Sequence, residues 1–251
     1  MKCTVSVLSE IEASEIVKRL MTLEKMWAKR SATFATLGAI AYIDSYDSNG
    51  SISFHQMGNF VAQYQLLNPV LSRNFGDLYE KITTCLSKEL GAPVEICPEI
   101  PHPGFQLFFA TQEYADQLAT GEVPGDFSPI HADAPYRAYL PFWDQFSEVD
   151  WINTLSFTLP LELPAEGSGL NFWSMIDPSD LDELIALNDS DRAIHVGPWS
   201  DTVEYDCGEL SYFVGHYVHQ IKHLGKLNAN DRRITLQGHG VKCDGVWKLY
   251  V

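Results

Sequence analysis

Beyond Gly91 the chain breaks into short apolar runs: GFQLFF, NTLSFTLPLEL, GLNFW, AIHVG, ELSYFVG, YVHQI, RRITLQG and VWKLYV. Gly, Pro, Asp and Asn separate them. Many short runs at close spacing predict strands of a sandwich or barrel, with the jelly roll among the options. The region before Gly91 has a different pattern. Ser9 and Glu12 form a potential capping box, and Ile16, Leu20, Leu23 and Trp27 then recur at helical spacing. A second helix is expected to start at Asn68, with Pro69 in its first turn and Gly91 at its end. Leu71, Phe75, Leu78, Ile82, Leu86 and Leu90 are its apolar stripe. The expectation is an α+β chain of one domain over residues 1–251. A mainly helical front (1–95) precedes a β core (96–251), with no repeat or low-complexity linker between them.

Composition narrows the function. Apolar residues are 45% of the chain and aromatics 12%, enough for a real core. No apolar run approaches the length of a membrane span, so no membrane partner is expected. The N-terminus turns acidic before any long apolar segment, which argues against a secretory leader. The five cysteines are scattered and never in a CxxC pair, as expected in a reducing cytoplasm. A net charge of −16 repels phosphate backbones and argues against nucleic acid. It serves solubility first, and it could favour a cationic substrate.

GHYVHQIKHLGK places three histidines close together, His216, His219 and His223. A helix would gather them on one face. The alternation of YVHQI after Gly215 favours a strand, on which His219 and His223 lie about 13 Å apart. They could not share one ion, and with no HExxH and no cysteine partner a local zinc site is disfavoured. Upstream, His131 and Asp133 are two apart in SPIHADAPYR, so an extended chain turns both to one side. His-x-Asp is common by chance. It gains meaning from a histidine about ninety residues later and from the arginine of NDRRITLQGHG beyond it.

In these residues the chain resembles the iron(II)/2-oxoglutarate-dependent oxygenases. Their pattern is His-x-Asp, a distal His on a late strand, then Arg-x-Ser/Thr on the next. Here that is His131-Ala-Asp133, His219, and Arg233-Ile-Thr235. The resemblance implies a double-stranded β-helix core, jelly-roll and cupin-like, with flanking N-terminal helices. It implies Fe(II) held by His131, Asp133 and His219, with 2-oxoglutarate and O2 in the remaining positions. Arg233 would hold the far carboxylate of 2-oxoglutarate as a fork and Thr235 would add a hydroxyl. Arg232 should point the other way, and His216, His223 and His239 read as ordinary core or surface residues.

LSRNFGDLYEKI, HPGFQLF and RRITLQGHGV together resemble the stand-alone hydroxylases and halogenases of free amino acids, including the lysine group. That implies a dioxygenase hydroxylating an amino acid or similar small metabolite and releasing succinate. Arg73 matches the arginine that holds the substrate carboxylate in that group. On its helix, though, Arg73 lies off the apolar stripe, where a solvated arginine is the default. Gln106, inside FQLFF, lines the pocket or makes a structural hydrogen bond. Halogenases of this group carry Gly or Ala where this chain has Asp133, so hydroxylation is favoured. Ser128 and Ala134 cannot supply charged contacts to a lysine ammonium, which leaves the substrate open. The alternatives are desaturation or halogenation of a natural-product intermediate, and a non-catalytic cupin-like binding protein.

Overall fold

The computed structural model describes residues 2–44, 54–123, 128–222 and 226–251. Strand β1 (Lys2–Ser6) leads into α1 (Glu10–Met21), whose Ser9 side chain caps the helix while Glu12 reaches back to the Ser9 amide. Strands β2 (Ala28–Lys29) and β3 (Phe34–Leu37), the single turn α2 (Ala41–Asp44) and the long α3 (Phe54–Leu90) follow. Next come β4 (Val94–Ile96), β5 (Gly104–Phe109), α4 (Gln112–Thr120) and the short α5 (Leu140–Trp143). The rest comprises β6 (Val149–Glu162), β7 (Gly169–Met175), α6 (Leu181–Ala186) and α7 (Asp189–Val196), then β8 (Asp201–Glu204) and β9 (Glu209–Val214). Finally there are β10 (Tyr217–Ile221), β11 (Arg232–Cys243) and β12 (Val246–Tyr250).

Two sheets face each other. The larger has the order β1-β9-β6-β11-β5-β3-β2, with β12 also on β11 and β4 on β12. The smaller has the order β10-β7-β8. Successive strands cross between them: β6 large, β7 and β8 small, β9 large, β10 small, β11 large. That winding is the double-stranded β-helix, a jelly roll. Gly215 lets the chain pass from β9 to β10, with φ of +104° in the left-handed region that favours glycine.

The main core lies between the large sheet and the helices. Ile16 and Leu20 of α1, and Leu71, Phe75, Leu78, Ile82 and Leu86 of α3, are buried there against Leu107, Leu159, Ile234 and Leu236. The apolar stripe expected on the second helix is therefore the face that covers the sheet. A second apolar layer, with Leu170, Phe172, Phe213 and Ile221, joins β7, β9 and β10. Phe172 of the small sheet meets Phe213 of the large one edge to face, with centroids 5.3 Å apart.

Three expectations need correction. The second helix starts at Phe54, so Asn68 does not cap it and Pro69 lies inside it. The Asn68 side chain instead braces the 98–102 loop, donating to the Ile100 carbonyl at 2.9 Å and accepting from the His102 amide at 3.1 Å. Proline removes one helical hydrogen bond, and six residues on the helix breaks at Phe75, with φ −134° and ψ 19°. The run AIHVG is the end of α7, not a strand: the Asn188 side chain caps that helix and Gly197 follows it. The front of the chain also supplies strands, since β1 pairs with β9 and β3 with β5. Among the described residues no helix is long and apolar enough to cross a membrane.

Leu236 is fully buried on the face of β11 that meets the helices. Leu236→Ala should lower the free energy of unfolding in urea by about 2–5 kcal/mol. A loss under about 1 kcal/mol would mean that this face of β11 is not tightly packed.

Candidate metal centre and its cavity

His131 and His219 meet through the backbone. The His131 amide donates to the His219 carbonyl at 3.0 Å, and the His219 amide to the His131 carbonyl at 2.8 Å. This antiparallel bridge adds His131 to the free side of β10. Directly opposed residues share a face of the pair, and the two rings stand 4.4 Å apart, centroid to centroid. Asp133, two residues on, returns to the same side. Its Oδ1 lies 3.7 Å from His131 Nε2 and its Oδ2 3.4 Å from His219 Nε2. One ligating atom from each residue lies within 4.8 Å of the others, so the three could hold a single ion.

The hydrogen bonds around the rings match that role. His131 Nδ1 is 2.8 Å from the Pro129 carbonyl and His219 Nδ1 is 2.9 Å from the Tyr217 carbonyl. A carbonyl only accepts, so Nδ1 carries a proton in both rings, and Nε2 is the ring nitrogen turned toward Asp133. Desolvation, then the neighbouring His219, push the His131 imidazole down to about 4, so it is neutral at physiological pH. Burial alone would raise the Asp133 carboxyl. The charges of His219, His239 and His131, with the Ser156 hydrogen bond, outweigh burial and hold it well below the usual carboxylate range. The donor set is therefore two imidazoles and one carboxylate, which fits a 2-His-1-carboxylate iron site.

Two further side chains support Asp133. Ser156 on β6 donates to Asp133 Oδ2 at 2.7 Å, and its Oγ lies 3.2 Å from His239 Nδ1. His239 Nδ1 is 3.8 Å from the same carboxylate oxygen. No local pattern singles out Ser156. His239 was legible in principle, because it continues the alternate positions 233, 235 and 237 of β11.

The other sequence candidates fall as follows. Arg233 is 3% exposed, donates from Nε to Ser168 Oγ at 3.1 Å, and lies 5.9 Å from the Tyr205 ring centroid. Ser168 immediately precedes β7 and Tyr205 follows β8, so Arg233 points between the sheets. Thr235 is fully buried on the same side, with Gln237 Nε2 at 3.4 Å from its hydroxyl. Arg232 faces the other way and pairs with Glu162 at 2.7 Å. Gln106 both lines the cavity and donates to Gln237 Oε1 at 2.6 Å. Arg73 is exposed on α3 and does not line the cavity, because its position on the helix turns it away from the sheet. His216 is buried and bonds from Nε2 to the Trp151 carbonyl at 2.8 Å. His223 lies outside the described residues.

The three-residue group opens on a cavity of about 470 Å³ between the sheets, lined also by Gln106, Ser156, Gln237 and His239. A smaller space of about 210 Å³ adjoins it, sharing Phe34, Gln106 and Ile221, and Arg233 forms part of its wall.

No protein-family description and no curated protein sequence matches the chain. Several solved structures are similar. The non-heme alpha ketoglutarate dependent carbocyclase SnoK from nogalamycin biosynthesis is 12% identical, with a TM-score of 0.48, over 96% of this chain and 78% of that one. An N-substituted L-amino acid dioxygenase from Burkholderia ambifaria AMMD is 12% identical, with a TM-score of 0.44, over 95% and 91%. The non-heme alpha ketoglutarate dependent epimerase SnoN is 13% identical, with a TM-score of 0.43, over 95% and 76%.

Ser156→Ala should weaken Mn(II) binding about 10- to 100-fold in a calorimetric titration, as removing a group that orients a ligand typically does. His219→Ala should abolish that binding, while His216→Ala should lower stability and leave it intact. Equal metal affinity in the His219 and His216 variants would exclude His219 as a ligand.

Proposed function

We propose that the chain is an Fe(II)- and 2-oxoglutarate-dependent oxygenase, folded as one domain, that hydroxylates a small organic molecule. One observation carries this: His131 Nε2, His219 Nε2 and the Asp133 carboxylate converge on one point at the wall of an intersheet cavity. Fe(II) bound with 2-oxoglutarate and O2 supplies the oxidising power to insert oxygen into a C–H bond, while 2-oxoglutarate becomes succinate and CO2.

The chain's own residues fit the binding tasks. His131 and His219 offer their Nε2 atoms, and Asp133 offers one negative charge that Ser156 keeps oriented. Arg233 offers a buried fork for the far carboxylate of 2-oxoglutarate, steadied by Ser168 and Tyr205, and Thr235 stands beside it on the strand. The intact carboxylate at Asp133 favours hydroxylation over halogenation, since it fills the position a halide needs. All three donors are in place, which disfavours a silent binding protein. The resemblance to amino-acid hydroxylases put a substrate carboxylate on Arg73, and Arg73 is not among the residues that line the cavity. Five free cysteines suit a reducing cytoplasm.

Arg233→Ala should weaken 2-oxoglutarate by tenfold or more, the loss of a charge-assisted fork of about 1.5–3 kcal/mol, with Mn(II) affinity nearly unchanged. Arg232→Ala should change neither. Equal loss of 2-oxoglutarate affinity in both variants, measured by calorimetry on the Mn(II)-loaded protein, would remove Arg233 from the role. With a true substrate in chloride, the wild type should form hydroxylated and no chlorinated product by mass spectrometry. A dominant chlorinated product would overturn the hydroxylase assignment.

A further inference from the structure

The cavity wall carries information about the substrate that the metal group does not. Facing the His131–Asp133–His219 group are Phe34, Leu170, Ile185, Phe213 and Ile221, from both sheets and from α6. Apart from the metal group and His239 beside Asp133, the polar side chains of the wall are neutral amides and hydroxyls, notably Gln106, Gln237, Ser128, Thr158 and Ser211. No lysine or arginine lines this cavity among the described residues. The segments outside the description, 45–53, 124–127 and 223–225, contain no lysine or arginine in their sequence.

The arginines that could be imagined turning inward are committed elsewhere. Arg30 makes a two-pronged pair with Asp44, with N–O distances of 2.6 and 2.8 Å. Arg192 donates to the carbonyls of Ile130 at 2.6 Å and Leu187 at 2.6 Å. Arg137 pairs with Asp182. Arg233 is the guanidinium assigned to 2-oxoglutarate above. A substrate carboxylate drawn into this cavity would therefore lose its hydration without meeting a lysine or arginine, and a buried charge without such a partner is strongly disfavoured.

We propose that the substrate of this site is a neutral, largely apolar molecule bearing hydroxyl or carbonyl groups, and not a zwitterionic amino acid. The inference rests on the oxygenase function proposed above and names its substrate class. The apolar wall desolvates a hydrocarbon surface beside the metal group. The amides of Gln106 and Gln237 and the hydroxyl of Ser211 suit neutral oxygens, which fix how the molecule lies. The cavity of about 470 Å³ is within the range that encloses drug-sized ligands.

The test uses the full chain loaded with Mn(II) or Zn(II) and saturated with 2-oxoglutarate. Calorimetry first confirms both ligands, and failure there sinks the oxygenase function itself, separately from the substrate class. Matched ligand pairs are then compared by ligand-observed NMR: ring ketones and alcohols of increasing size, each beside a counterpart carrying the amino-acid headgroup. 4-Phenyl-2-butanone beside L-phenylalanine is the smallest pair. The expected result is that neutral members bind tenfold or more tightly than their charged partners. Their protons should relax faster with Mn(II) than with Zn(II), which places them near the metal group. Charged members binding as tightly as neutral ones, or no neutral member relaxed by Mn(II), would overturn the proposal.

Discussion

Two backbone hydrogen bonds between His131 and His219 hold the candidate site together. This bridge is the backbone pairing between the segment around His131 and β10, and Ser128 adds to it by accepting from Gln220 Nε2 at 3.1 Å and from the Ile221 amide at 3.3 Å. Because directly opposed residues present their side chains to one face, the bridge alone sets the two imidazoles side by side. The carboxylate then follows from chain geometry, since a residue two positions along an extended segment returns to the same side. Residues far apart in sequence thus become one donor group through one register choice. A slip of one residue in β10 would present Val218 or Gln220 in place of His219. The pairing of β10 with β7, which matches His219 to Phe172, opposes that slip by seating Ile221 and Phe172 in the intersheet layer.

Strand β11 links the site to the stability of the fold because its two faces do different work. Ile234 and Leu236 point to the helices and are buried in the main core. Arg233, Thr235, Gln237 and His239 alternate with them on the side of the small sheet. Buried polar groups in such a row need partners. Ser168 serves Arg233, Gln106 serves Gln237, and Ser156 stands beside His239. Glycines at 238 and 240 belong to the apolar face. A Cβ at Gly238 would meet the Phe157 ring at 2.6 Å, so β11 lies as close as its neighbours allow. Packing against the helices and placement of the polar row are thus properties of one tightly held strand.

Much of this could be read in the sequence because it depends on local periodicity. The strand alternation of YVHQI put His219 rather than His216 on the working face, and the helical stripe from Leu71 to Leu86 identified the face that covers the sheet. What was not legible depends on contacts distant in sequence. Asn68 carries a helix-starting signal, but its amide is claimed by a loop thirty residues away, and the helix runs on past Pro69. AIHVG has a strand's composition, yet the cap at Asn188 makes it the last turn of a helix. Ser156 sits in an apolar strand, and nothing near it in sequence reveals that it bonds to Asp133. Arg73 was assigned by resemblance against its own helical position, and the position prevailed.

The charge of the chain is divided in a way that bears on its chemistry. The net −16 resides on the surface, while the intersheet space holds little formal charge beyond Asp133 and Arg233. Each of those two is partnered by neutral groups, Ser156 for the carboxylate and Ser168 for the guanidinium. A cation placed against Asp133 and a dianion reaching Arg233 would bring the charge in this space close to balance. Charges in a weakly polar enclosure interact more strongly than they do in water, so near-balance is the condition under which they can be buried together. Any further ion entering with the substrate would upset that balance. The same electrostatics that favour a divalent metal and a dicarboxylate here therefore favour a neutral third component.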